Sequence, residues 1–91
     1  MDETITIELS RPLEDKATKT EWTEITLKEP VLIQVEQFQD KLRATGNSVT
    51  ASRFLIHLVS GVSESALKMM PISDYKKCDA WLNRFFTTKA E

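Results

Sequence analysis

Leu27-Lys28-Glu29-Pro30 is the stretch that decides how this chain is read: it closes a segment of alternating pattern and opens a helical one. Proline has no N–H for a strand ladder but suits the first position of a helix. Three further stops follow, at Gly46-Asn47-Ser48, Gly61-Val62-Ser63 and Met70-Pro71-Ile72-Ser73-Asp74, and they cut the remainder into helical pieces. Upstream, Thr4 to Ser10 alternates, with Ile5, Ile7 and Leu9 on one side. Glu21 to Lys28 alternates again, with Thr23, Ile25 and Leu27 on one face and Trp22, Glu24 and Thr26 on the other. Period-two patterning reads as two half-buried strands. The polar stretch Arg11 to Thr20, with Pro12 inside it, reads as the loop between them.

After Pro30, Leu32, Val35, Phe38 and Leu42 fall along one helical face, with Glu36, Gln37, Asp40 and Lys41 outside. Gly46 stops that helix, and Asn47 or Ser48 caps the next one. The segment from Val49 to Ser60 is the most apolar and is expected at the centre of the core, with Ala51, Phe54, Leu55, Leu58, Val59 and Val62 turned inward. Ser63 caps a short helix from which Leu67 and Met70 face inward. A last helix starts at Pro71 or Ser73 and carries Tyr75, Cys78, Leu82, Phe85 and Phe86 as its stripe. The expected class is α+β: a small N-terminal two-stranded antiparallel β-hairpin (4–28), then a bundle of three to four short α-helices (30–86). Residues 87–91 read as a flexible tail, and 1–91 as a single domain, since two cores would each be too small.

The chain of 91 residues has a formal charge of -2 with its cations scattered. That speaks against a nucleic-acid partner, which needs a clustered basic face. No apolar run approaches the ~20 residues that span a bilayer, and the acidic start Met1-Asp2-Glu3 is unlike a signal peptide. Cys78 is the sole cysteine, so no intrachain disulfide forms. It reads as a buried inert thiol, although Lys76-Lys77 beside it could lower its pKa. His57 has no Asp, Glu or Cys three or four residues away to make a metal pair, and it reads as structural. The sequence holds no carboxylate pair in a setting that would push two pKa values apart, no nucleophile arrangement and no glycine-rich phosphate cradle. The expectation is therefore a non-enzyme with no cofactor and no metal.

What is left is apolar surface. Trp22 sits on the polar face of its strand, Trp81 lies off its helix's stripe, and Ile33 lies off the stripe of its own. Large apolar residues out of place mark partner surfaces, and Met69 and Met70 add adaptable contacts. Trp22, Ile33, Met69, Met70 and Trp81 are thus the candidate partner-binding residues.

The order of these signals is similar to that of a known family. Lys28-Glu29-Pro30 after a hairpin, a helix closing in Ser60-Gly61-Val62-Ser63, the joint Leu67-Lys68-Met69-Met70-Pro71 followed by Asp74, and a final aromatic pair together resemble the short tail assembly chaperones of contractile-tailed phages and Mu-like prophages. The resemblance runs from about Ile5 to Phe86, and the long Arg11 to Thr20 loop departs from it. It implies a non-catalytic protein of the bacterial host cytoplasm, absent from the mature virion. Its implied partner is the phage tape measure protein, with the tail tube protein and a frameshifted longer form of the chain itself as further ones. A second copy is another candidate, because a chaperone without its client exposes apolar surface. Two other readings compete: a structural tail component retained in the virion, and a prophage DNA-binding regulator.

Overall fold

The hairpin runs further than the alternation suggests, because one strand is broken in the middle and resumes. The computed structural model describes residues 3–86, so the expected tail 87–91 lies outside the described residues. Strand β1 spans Thr4–Asp15 and strand β2 spans Thr20–Lys28, paired antiparallel. One ladder runs from Thr4↔Lys28 to Glu8↔Glu24, and a second from Leu13↔Trp22 to Asp15↔Thr20. Between them residues 9–12 of β1 oppose Thr23 alone, as a wide bulge. Pro12 belongs there, since it has no N–H to give a ladder. The expected ten-residue loop is thereby corrected: Arg11 to Asp15 is strand, and the turn is only residues 16–19. Asp15 Oδ1 accepts from the Ala17 N–H at 3.0 Å to fold that turn, and Lys19 takes a positive φ of 56°.

The bulge also changes which face Trp22 occupies. Unbroken alternation would place it opposite Ile25. The altered phase sets it beside buried Leu13 on the covered side of the sheet, where it packs half-buried against the core. Thr23, expected inward, is exposed.

Helix α1 spans Leu32–Thr45 and α2 Ser48–Ser60. Gly46 (φ 64°) and Gly61 (φ 80°) end them in the left-handed region that other residues enter at a cost. The Asn47 side chain accepts from the Val49 and Thr50 amides at 3.0 and 3.1 Å, so Asn47, not Ser48, is the cap. Helix α3 is a single turn, Glu64–Leu67, capped by Ser63. Helix α4 spans Ile72–Asn83 and follows directly on Pro71. The described chain is therefore α+β, an antiparallel hairpin followed by four helices.

The core lies between one face of the hairpin and α2, α3 and α4. Ile7, Leu13, Ile25 and Leu27 from the strands meet Leu55, Ile56, Val59, Val62, Ala66, Leu67, Cys78, Trp81 and Leu82. Helix α2 is central as expected, but Ile56 is buried while Phe54 and Leu58 are half-buried, because they face α1 and not the sheet. Two polar ties fix α4 and its approach to β1. Asp74 Oδ2 accepts from the Ser10 N–H at 3.0 Å and the Ser10 hydroxyl at 2.8 Å, and the Arg11 guanidinium donates to the Met69 carbonyl at 3.1 Å. Both partners on β1 sit in the bulge, where the Ser10 amide is released from the ladder. Asp74 is 1 % exposed, and its Oδ1 has no hydrogen-bond partner in the protein. From that anchor α4 runs back along β1, and Arg84 reaches Glu3 at 3.2 Å.

Candidate protein-interaction surface

Helix α1 buries none of its side chains. It leans on α2 with Gln34, Val35, Phe38, Lys41 and Leu42 half-covered. Lys41 Nζ sits 4.7 Å over the Phe54 ring of α2, and Phe38 stacks on Phe86, just past α4, with centroids 5.3 Å apart. Leu32 was expected inward but is 74 % exposed. A step of three residues turns back about 60° on a helix of 3.6 residues per turn, which carries Leu32 outward from Val35. With Val31 and with Ile33, itself 57 % exposed, it forms a run of three consecutive apolar residues facing solvent. The run stands beside a cavity of about 370 Å³ lined by Lys28, Glu29, Val31, Gln34, Leu58, Val59, Ser60 and Gly61. The floor of that cavity is the end of α2, and Gln34 Nε2 donates to the Leu58 carbonyl across it at 3.4 Å.

A second exposed apolar spot lies at the joint between α3 and α4. Met69 is 65 % exposed and Ile72 63 %, while Met70 is half-buried against the core. Arg11 ties this joint to the bulge, and Trp22 pairs with Leu13 just past the bulge. Met69, Met70 and Trp22 thus belong to the bulged half of the hairpin. Ile33 belongs to the other end, where the Glu29 N–H donates to the Glu3 carbonyl at 2.9 Å as the chain leaves β2. Trp81 joins neither group at the surface: it is 8 % exposed and meets Phe85 edge-on at 5.0 Å. The inward stripe of α4 is wider than the sequence pattern suggested and includes Trp81. Sequence reasoning missed Val31, Leu32 and Ile72. The signal for Ile72 was its place at the first helical position after Pro71, beyond the reach of the core.

The polar residues of interest are structural in their contacts. His57 Nδ1 lies 2.7 Å from the Val62 carbonyl and ties the end of α2 to the next loop. Burial, helped by Asp74 and Asp79, pushes the Cys78 thiol up to about 11, so the expected lowering by Lys76-Lys77 does not occur. The Ser63 hydroxyl above all holds the Asp15 carboxyl below its usual value; desolvation opposes it, and the amides of Ala17 and Thr18 and the Thr18 hydroxyl assist. Since the Ser63 oxygen also accepts from the Ala66 N–H at 3.3 Å, one side chain joins the hairpin turn to the start of α3. Among the described residues no three His, Cys, Asp or Glu side chains are grouped to hold a metal ion, and no helix is long and apolar enough to cross a membrane.

A family model described as "Phage tail assembly chaperone proteins, E, or 41 or 14" matches residues 6–87 of the chain. No curated protein and no solved structure matches it.

Proposed function

We propose, from the premise that this chain belongs to the phage tail assembly chaperone family, that it binds the tape measure protein of its phage and assists the tail tube to assemble around it. The observation that carries the reading is the exposed run Val31-Leu32-Ile33 beside an open cavity. A tape measure is a long, largely helical chain whose apolar stripes have no cover until the tube closes. A helix laid on this ledge would shelter such a stripe by the helix-in-groove mode. Met69, next to half-buried Met70 and in the same half of the hairpin as half-buried Trp22, offers a second hold. Trp81 supports the fold from within and contributes to binding only through the surface it shapes.

Covering Leu32 and Ile33 would supply roughly 2–4 kcal/mol at ~1.5–3 kcal/mol per fully covered side chain, discounted for their existing contacts. A specific contact needs about 1,200–2,000 Å² in all, which the ledge and the Met69 joint reach together more readily than either alone. The client must later pass to the tube, so an affinity near micromolar, about 8 kcal/mol, suits the task. The work is done in the bacterial host cytoplasm, without catalysis, and the chain leaves before the virion is complete. A frameshifted longer form would carry the same ledge to the tail tube protein.

The test is capture of the tape measure protein by tagged wild type, Ile33→Asp and Met69→Asp, each checked for an unchanged far-UV circular dichroism spectrum. Ile33→Asp should lower capture at least about tenfold, and Met69→Asp should lower it less. Undiminished capture by both variants refutes the surface. Mass spectrometry of purified virions that finds the chain at stoichiometric level assigns it instead as a structural tail component.

A further inference from the structure

We infer that two copies of this chain pair through one flank of α1, antiparallel and about a two-fold axis. Ile33, Gln37, Asp40 and Ala44 follow the spacing i, i+4, i+7, i+11, so they share one helical face, and all four are exposed. At one end of that face stands an apolar knob, Ile33. At the other lies a recess of about 320 Å³ lined by Gln37, Asp40, Lys41, Ala44 and Phe54. Ile33 lies about 16 Å along α1 from Ala44 at ~1.5 Å per residue, so it does not reach the Ala44 end of the recess in its own chain.

An antiparallel second copy brings them together twice. With the axis crossing α1 between Phe38 and Gln39, each Ile33 meets Ala44 and Phe54 of the other copy, and each Gln37 meets Asp40. The polar pair matches as the apolar one does, because the Gln37 amide donates and a carboxylate has lone pairs to accept it beside Arg43. Along one rim stand Glu36 and Arg43, which this pairing sets toward each other across the copies as opposite charges. The two Asp40 side chains flank the axis about 4.5 Å apart along the helices at ~1.5 Å per residue, and each is held by Arg43 of its own chain. An interface in which residue i meets j while j meets i is what a two-fold dimer requires. One helix flank sits at the small end of specific interfaces, below about 1,200 Å² in total, so the dimer forms and dissociates in the micromolar range. The pairing stands without the client reading. Where both hold they exclude each other, since Ile33 serves each.

Sedimentation equilibrium of the full chain tests this. The wild-type mass is expected to rise from one chain to two with concentration, and Ala44→Glu should weaken that association about tenfold while its circular dichroism spectrum stays unchanged. Mixing Ile33→Cys with Ala44→Cys under mild oxidation should give a disulfide-linked pair, while either variant alone gives none; Cys78 is buried and stays out of the reaction. A wild-type mass of one chain at about 500 µM overturns the proposal. So does a cross-link by Ile33→Cys alone, which would mean parallel packing. Loss of tape measure capture with the dimer intact would fail the client reading and leave this one standing.

Discussion

Replacing Asp74 by alanine tests the tie between the last helix and the hairpin. The carboxylate accepts two hydrogen bonds from Ser10, at 3.0 and 2.8 Å, and bonds to a charged acceptor are worth about 1.5–3 kcal/mol each. Two effects reduce the sum. Ser10 is exposed, so its freed N–H and hydroxyl turn to water. The substitution also removes Oδ1, which is buried without a partner and costs desolvation in the wild type. The net loss is about 2 kcal/mol, and a domain of this size loses about 4–8 °C of Tm per kcal/mol. A thermal melt followed by far-UV circular dichroism should therefore fall by roughly 8–16 °C. Ser10→Ala, which keeps the amide bond, should lose only about 1 kcal/mol. The double variant should cost less than the two singles added, by about 1 kcal/mol, as for residues in direct contact. An Asp74→Ala protein as stable as wild type, or more so, would show that the cost of burying the carboxylate outweighs its bonds to Ser10.

Four other outcomes follow from the same geometry. Gly61→Ala should lose about 1–2 kcal/mol in urea denaturation, because an added Cβ meets nothing within 4 Å and the whole cost is the positive φ. Glu24→Lys should stabilise by about 0.2–1 kcal/mol, since Glu24 lies directly across from Glu8 and the like charges become an opposite pair. The folded Asp15 carboxyl titrates below its unfolded value, so its stabilisation is full above the unfolded pKa, about 3.9, and is lost as pH falls; Asp15→Asn should flatten the acid limb of the stability profile. The Cys78 thiol, pushed up to about 11, should react with a thiol reagent at pH 8 far more slowly in the native protein than in urea, and stability should decline as pH rises from about 9 toward 11.

The punctuation of the fold is legible in the sequence because each stop acts locally. Gly46, Asn47, Gly61, Ser63 and Pro71 do their work within a turn of their own position, and the structure puts helix ends or caps at all of them. Long-range pairings are not legible in this way. The extra strand residues after Pro12 depend on a bulge whose free amide is taken up by Asp74, sixty-four residues away. The same bulge turns Trp22 toward the core. The burial of Trp81 is not legible either, because the width of a helix's buried stripe depends on how the helix crosses its neighbours. For the surface residues, Ile33 and Met69 were legible as apolar residues outside the patterned faces. Leu32 was not, since it fits the stripe except for one step of three residues, and that step carries it outward from Val35.

The placement of α1 has a consequence for how the protein comes apart. Its packing is against α2, with Phe86 at its middle, and it contributes nothing to the sealed interior. Elements with so few sealed contacts detach at low free energy while the rest stays folded. Amide hydrogens of α1 should therefore exchange with solvent ahead of those of α2, in one cooperative step. Each such excursion bares Val35, Phe38 and Leu42 together with Phe54 and Leu58, so the greasy area on offer grows at the moment the outer helix lifts.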